Sequence, residues 1–199
     1  MTSLTEDAGR QVTALLSAAG QDLLARLAAE ELTPDSTLAL AARLRREFPA
    51  ELAAAAMAQH ELRLAARAKF SRAMRMLFTR AGLEQASAEV TARHRARRYA
   101  GAGRLADLGC GIGGDLTALA GGREVLAADR DVVHVRMAVH NAAVYDSADG
   151  LRACVADVRD LDLAGADAVF ADPARRAGGR RLRAGASEPP LEWCFALAA

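Results

Sequence analysis

"DLGCGIGGD", residues Asp107 to Asp115, places four glycines and two carboxylates in nine positions. Such a run is either a strand-to-helix loop that holds a nucleotide or a loose surface turn. Glycines permit positive backbone angles and let the main chain approach a ligand closely. A helix opening directly after them would present free N–H groups to the ligand's polar atoms. The loop alone does not separate the two readings; the sequence on either side does.

Downstream, short apolar runs end in turns or acids: "RLADL", "EVLAA", "RACVA" and "DAVFA". Helical segments separate them, at Asp115–Ala120 and at Asp131–Val144, the latter with Val132, Val135, Val139 and Ala142/Ala143 along one side. Strands alternating with helices predict an α/β fold with a parallel sheet of about four strands, joined by right-handed crossovers. Asp107, Asp129, Asp157 and Asp172 then fall at four successive strand ends. Any one of them reads equally well as a turn or cap residue. Four in register would line the carboxyl edge of the sheet, where open α/β sheets bind ligands.

The leading acid decides which nucleotide. Asp107 would repel a pyrophosphate, whereas S-adenosyl-L-methionine carries a cationic amino group and a sulfonium. The absence of Gly-Lys-Ser/Thr excludes a phosphate-binding P-loop. A carboxylate at Asp129 suits a ribose diol, and one at Asp157 suits an exocyclic adenine amine.

Upstream of "GAG" (Gly101–Gly103) the texture is helical. Asp7 is positioned to cap a segment reaching about Ala18, and leucines at helical spacing continue over Gln21–Glu30. Thr33 and Pro34 read as N-cap and first helical residue of the next helix. Pro49 opens a long helix predicted to run through Arg80 and to break at Gly82, after which "LEQASAEVTARHRARRYA" begins again. The predicted division is a helical domain over 1–98 and a Rossmann-like domain over 99–199.

Composition bounds the rest. The 199 residues are 52% hydrophobic but only 4% aromatic, so Ala, Leu and Val must build the core. A net charge of +1 makes no global case for a nucleic-acid partner. Cys110, Cys154 and Cys194 lack metal-ligand spacing, and His60, His94, His134 and His140 form no ligand set with them. The expectation is a reduced, cytoplasmic chain with no metal, no signal peptide and no membrane span, its oligomeric state open. The histidines read as surface or packing residues, and Cys110 as a small loop residue and not a nucleophile.

The strings "LADLGCGIGGD", "LAADRD", "VADVRDL" and "VFADPARR" resemble, in order, the first four motifs of the class I S-adenosylmethionine-dependent methyltransferases. "KFSRAMRMLFTRAGLEQAS" (Lys69–Ser87) and "HRARRYA" are similar to a bacterial subgroup with a THUMP-like domain, distantly related to RNA cap guanine-N2 methyltransferases. The resemblance runs from about residue 69 to about residue 193. It implies that Asp107, Gly109, Cys110, Gly111 and Gly113 line the methionine part of the cofactor. It further implies Asp129 at the ribose, Asp157 and Val158 at the adenine, and Asp172 and Pro173 beside the transferable methyl, with Arg130 also among the cofactor-binding residues. Where amine methyltransferases commonly carry Asp/Asn-Pro-Pro-aromatic, this chain has Ala174 and Arg175 in place of the second proline and the aromatic. Stacking there would fall to a guanidinium plane.

Two arginine clusters flank the predicted site. Arg93, Arg95, Arg97 and Arg98 surround His94 on the last helix before the sheet. Arg175, Arg176, Arg180, Arg181 and Arg183 follow the fourth strand, in what reads as a mobile loop suited to the phosphates of an RNA. Phe70, Met74, Leu77 and Phe78 fall at helical spacing and read as core. "PPLEWCFALAA" reads as a helix opening at Pro190, with Trp193 as its packing anchor. Strand four would then be an exposed edge, and the chain either a fragment of a longer protein or one that ends early. Three functions stay open: methylation of RNA at a base nitrogen, methylation of a small molecule or protein side chain, and non-catalytic RNA binding on a vestigial fold.

Overall fold

The computed structural model describes residues 2–30, 34–173, 176–177, 180–181, 183 and 186–197, with backbone alone at 2–5, 34–35, 176–177 and 180–181. Strands β1 (Arg104–Leu108), β2 (Glu124–Asp129), β3 (Leu151–Val155) and β4 (Ala168–Ala171) form one parallel sheet in the order β3-β2-β1-β4. The α/β class with a helical N-terminal region is the one predicted.

Side-chain alternation along β1 sends Leu105 and Asp107 to one face and Ala106 and Leu108 to the other. On the first face Leu105, Val125, Ala127 and Phe170 pack against Leu116 and Leu119 of α7 (Leu116–Leu119) and Ala138 and Ala142 of α8 (Val132–Val144). On the second, Ala106, Leu108 and Ala128 meet Val158, and Trp193 of α9 (Leu191–Ala196) packs against that cluster. Asp107 is thus carried by its strand register into an apolar layer. Among the described residues β4 pairs with β1 alone and stands at a sheet edge.

The helical layer comprises α1 (Thr2–Leu16), α2 (Ala18–Leu27), α3 (Pro34–Glu47), α4 (Ala50–Ala66), α5 (Arg80–Gln85) and α6 (Glu89–Ala96). Leu15, Leu23, Leu27, Leu44, Ala56 and Phe70 share one apolar cluster with Val133, Met137 and Val144 of α8 and with Ile112 of the glycine loop. α8 therefore buries two stripes, one on the sheet and one on the helices. This corrects the predicted single stripe: Val139 and Ala143 face solvent, while Val133, Met137, Ala138 and Asn141 are buried.

Two helix predictions are corrected. α1 starts at Thr2, so Asp7 lies inside it, paired with Arg10 one turn on; Ser17 caps the following helix by accepting from Gly20 N–H at 3.1 Å. Pro34 does open α3, while Thr33 lies outside the described residues.

The long helix predicted from Pro49 ends at Ala66, and Gly82 lies within α5 instead of breaking a helix. Between them the chain turns through a 3-10 turn at Ala73–Arg75 and runs extended. Its backbone groups, left without helical partners, find buried side chains. Gln59 holds Phe78, donating to its C=O at 2.5 Å and accepting from its N–H at 2.9 Å. Arg63 donates to the carbonyls of Met76 and Arg75, burial lowering its guanidinium to about 10. Lys69 donates to the carbonyls of Leu83, Glu84 and Ala86. With the segment unwound, Phe70, Met76, Leu77 and Phe78 all reach the interior, and Met74 is half-buried. The core reading of Phe70, Leu77 and Phe78 holds, but their helical spacing is accidental.

The arginine-rich loop is also corrected. β5 (Arg176–Ala177) pairs antiparallel with β6 (Arg180–Arg181). Arg175 lies outside the described residues. No helix among the described residues is long and apolar enough to cross a membrane, and no group of three or more His, Cys, Asp or Glu among them is placed to hold a metal.

Candidate active site

β1 has β2 on one side and β4 on the other, so the chain reverses its direction of winding there. The crevice at the carboxyl ends of such neighbouring strands is where open α/β sheets bind ligands. The glycine loop fills its floor. Gly109 and Cys110 N–H groups both donate to the carbonyl of Ala128 (2.8 and 3.0 Å), stapling the loop to β2. Gly111 N–H donates to Asp129 Oδ2 at 2.9 Å. Asn141 of α8, fully buried, donates through Nδ2 to the carbonyls of Ile112 (2.8 Å) and Leu77 (2.9 Å) and accepts from Leu77 N–H at 2.8 Å.

Gly113 is where the glycine is indispensable. It has φ +81°, and a Cβ there would lie 2.8 Å from the Cα of Ala138 in α8. Backbone cannot yield as a side chain can. Gly113→Ala is expected to cost about 2 kcal/mol or more, read as a shifted midpoint in urea denaturation; an unchanged midpoint would show that the loop and α8 separate freely.

Asp107 is 2% exposed, and its Oδ2 is buried with no hydrogen-bond partner. Burial, reinforced by the charges of Asp115, Asp129 and Asp172, pushes its carboxyl up to about 8. Asp129 answers differently. Burial opposes its charge, yet His134 (3.8 Å from Oδ1), the Asp131 N–H (2.9 Å) and the Gly111 N–H hold it below the usual carboxylate range. His134, read from sequence as a surface or packing residue, is half-buried against that carboxylate.

At the acceptor side, Asp172 follows β4 directly and is exposed. Arg95 reaches it from α6: one guanidinium nitrogen, Nη1, lies 3.1 Å from Asp172 Oδ2, 3.1 Å from both oxygens of Asp115 and 2.8 Å from Ser87 Oγ. Asp115 is largely buried, and burial raises its carboxyl despite the pairing with Arg95. Arg95 thus points into the site, where the sequence grouped it with Arg93, Arg97 and Arg98 without distinction. Its neighbour Arg93 pairs with Glu89.

Asp157 lies two residues past β3. Hydrogen bonds from the Arg159 side chain (2.9 and 2.5 Å) and N–H (3.0 Å) hold it far below the usual carboxylate range. Glu188 lies 3.4 Å from Arg130 and 3.7 Å from Arg159. Val158 and Cys110 are buried, and burial lifts the Cys110 thiol well above its ordinary value, so it stays protonated. The structure brings together Asp107, Asp129, Asp172 and the glycine loop, adds Arg95, Asp115 and His134, and ties Asp157 and Arg130 into ion pairs beside them. Of the additions, Asp115 closes the glycine-rich stretch and Arg95 sits in the basic cluster, while nothing in the sequence set His134 apart.

Comparison with known proteins agrees with this geometry. Residues 102–179 match a family model described as RNA cap guanine-N2 methyltransferase, and residues 8–66 match one described as a domain of unknown function, DUF8688. Over 110 residues the chain is 46% identical to proteins of two Mycobacterium tuberculosis strains, H37Rv and CDC 1551, each named as an uncharacterized S-adenosylmethionine-dependent methyltransferase. These matches cover 53% of this chain and 28% of the relatives, so the chain spans less than a third of their length. Among solved structures, one from Porphyromonas gingivalis W83, named as a putative methyltransferase, superposes with TM-score 0.60 at 22% identity, covering 81% of this chain and 46% of that one. That likeness is one of fold. In sheet order the α/β half of the chain has a Rossmann-like fold, and in sequence it is similar to S-adenosylmethionine-dependent methyltransferases.

Proposed function

We propose that this chain transfers a methyl group from S-adenosyl-L-methionine to a base nitrogen of RNA. The observation that carries the reading is Asp107, an unpartnered carboxylate buried among three other acids, which suits a cationic ligand. The donor, when bound, supplies a methyl group on a positively charged sulfur that leaves as a neutral thioether.

Asp107 and the loop residues Gly109, Cys110, Gly111 and Gly113 would hold its methionine part, Asp129 and Arg130 its ribose, and Asp157 with Val158 its adenine. Asp129 fits that role because two backbone N–H groups and His134 keep it ionised and oriented. Asp172, with Pro173, would accept a hydrogen bond from the acceptor nitrogen and orient its lone pair, catalysis resting on positioning and on fixed dipoles. Arg175, Arg176, Arg180 and Arg181, directly after Asp172 in sequence, would meet the phosphates. The RNA cap guanine-N2 methyltransferase model over 102–179 favours a base nitrogen as target. The THUMP-like kinship, the division at residues 98/99 and a cytoplasmic setting belong to the same proposal.

Incubation with tritiated donor and, separately, total bacterial RNA, bulk protein and a small-molecule extract tests it. Label in base-hydrolysed RNA at a modified purine or pyrimidine is expected. Arg180→Ala/Arg181→Ala should raise the RNA concentration needed for half-maximal rate about tenfold and flatten its salt dependence. Label confined to protein or small molecules would overturn the RNA assignment.

A further inference from the structure

We infer that Arg95 is a positioning residue for methyl transfer, clamping Asp172 from the helical layer; this rests on the reading of Asp172 as the residue that orients the acceptor. Arg95 Nη1 carries two hydrogens, yet Ser87 Oγ, both oxygens of Asp115 and Asp172 Oδ2 all lie within 3.1 Å of it. The nitrogen therefore shares its donors among three side chains from three places: the turn before α6, the start of α7 and the end of β4.

Each partner has a different freedom. Asp115 is largely buried and Asp172 is exposed, with side chains 13% and 56% accessible. The buried carboxylate anchors the guanidinium, and the guanidinium in turn restrains the exposed one. Its carbon Cζ also lies 6.0 Å from the centre of the Phe170 ring, two residues before Asp172 on β4, a cation–π contact that limits its swing. Without Arg95, Asp172 would sweep its rotamers at the mouth of the site, and Asp115 and Asp172 would lose the cation they share. A misplacement of about 1 Å at a reacting centre costs up to about 100-fold in rate.

The clamp also explains why the arginine comes from α6. Residues of the helical layer reach the acceptor side of the crevice here, so the geometry of methyl transfer depends on the docking of that layer.

The test is a cycle on the full chain: wild type, Arg95→Ala, Arg95→Lys, Asp172→Ala and Arg95→Ala/Asp172→Ala. Donor affinity is read by calorimetry and turnover by tritium transfer to total bacterial RNA. For Arg95→Ala, kcat should fall about 30- to 100-fold while donor affinity and RNA KM stay within about threefold. Arg95→Lys should fall between, and millimolar guanidinium chloride should partly restore Arg95→Ala but not Asp172→Ala. The double variant should be no slower than Asp172→Ala alone.

Full turnover in Arg95→Ala, additive losses in the double variant, or donor affinity falling in step with kcat would overturn the clamp. A wild-type chain that binds no donor would sink the underlying reading instead. If donor binds but RNA takes no label, urea denaturation of the same cycle still decides. A coupling of at least about threefold in the unfolding constant supports the clamp, and none overturns it.

Discussion

Asp107→Asn raises the melting temperature of the ligand-free chain at pH 8 while weakening its hold on S-adenosyl-L-methionine. Few substitutions at a buried polar position stabilise a fold, so the expectation is specific. The wild-type carboxyl releases its proton near pH 3.8 in the unfolded chain but only at about 8 in the folded one, because burial and then Asp115, Asp129 and Asp172 oppose its charge. Between those values the native state binds the extra proton. Stability therefore falls as pH rises through this window, and the loss is complete above about 8.

Asparagine mimics the protonated form at every pH. The two proteins should melt together near pH 4 and diverge steadily above it. Each tenfold change in the acid dissociation constant corresponds to about 1.4 kcal/mol, and a chain of this size moves about 2–4 °C per kcal/mol. A gain of at least about 5 °C at pH 8 is expected. The same change removes an anion from the proposed contact with a cationic donor, for a loss of about 10- to 100-fold in affinity. Equal melting of the two proteins from pH 4 to 8 would mean that Asp107 finds partners or water that relieve its burial.

Asn141→Leu is expected to cost the fold about 3–5 kcal/mol, or about 10 °C in melting temperature. Leucine restores the volume of asparagine and so separates packing from hydrogen bonding. What it cannot restore is three buried bonds to backbone: the N–H and C=O of Leu77 and the C=O of Ile112. Each orphaned group costs about 1–3 kcal/mol. Asn141→Asp should be at least as damaging, because it sets an acceptor against two carbonyls. Since Ile112 lies between Gly111 and Gly113, the same variants should loosen donor binding as well. An Asn141→Leu protein within about 0.5 kcal/mol of wild type, inside the range of a neutral substitution, would show that the unwound segment and the glycine loop are held by other means.

The parallel sheet was legible because its strands are short apolar runs closed by acids, and α7 and α8 because Asp115 and Asp131 open them. The loop and three of the acids at the carboxyl edge followed from the same spacing. Periodicity failed where local backbone is held by distant side chains. Nothing near Arg67 announces the end of α4, since the partners that accept the unwound chain, Gln59 and Asn141, sit 19 and 64 residues from the groups they bind. It failed again on α8, whose two buried stripes blur a one-sided pattern. Arg95 could not be singled out from Arg93, Arg97 and Arg98, because which arginine of a basic helix turns inward is decided by where Asp115 and Asp172 lie in space. Asp157 falls two residues past β3 instead of ending it, and its pairing with Arg159 depends on a two-residue turn that the motif alone does not specify.

The central claim is that the acid-lined crevice binds a cationic methyl donor through Asp107. Titration calorimetry of the full chain with S-adenosyl-L-methionine at about pH 6.5, in two buffers of different ionisation enthalpy, tests it most directly. One-to-one binding with release of close to one proton is expected, affinity rising with pH toward about 7.5, because a cation binds the ionised carboxyl and displaces the proton that Asp107 otherwise holds to about pH 8. Asp107→Asn should bind more weakly and release none. No binding by the wild type, or equal binding and equal proton release by the variant, would contradict the account.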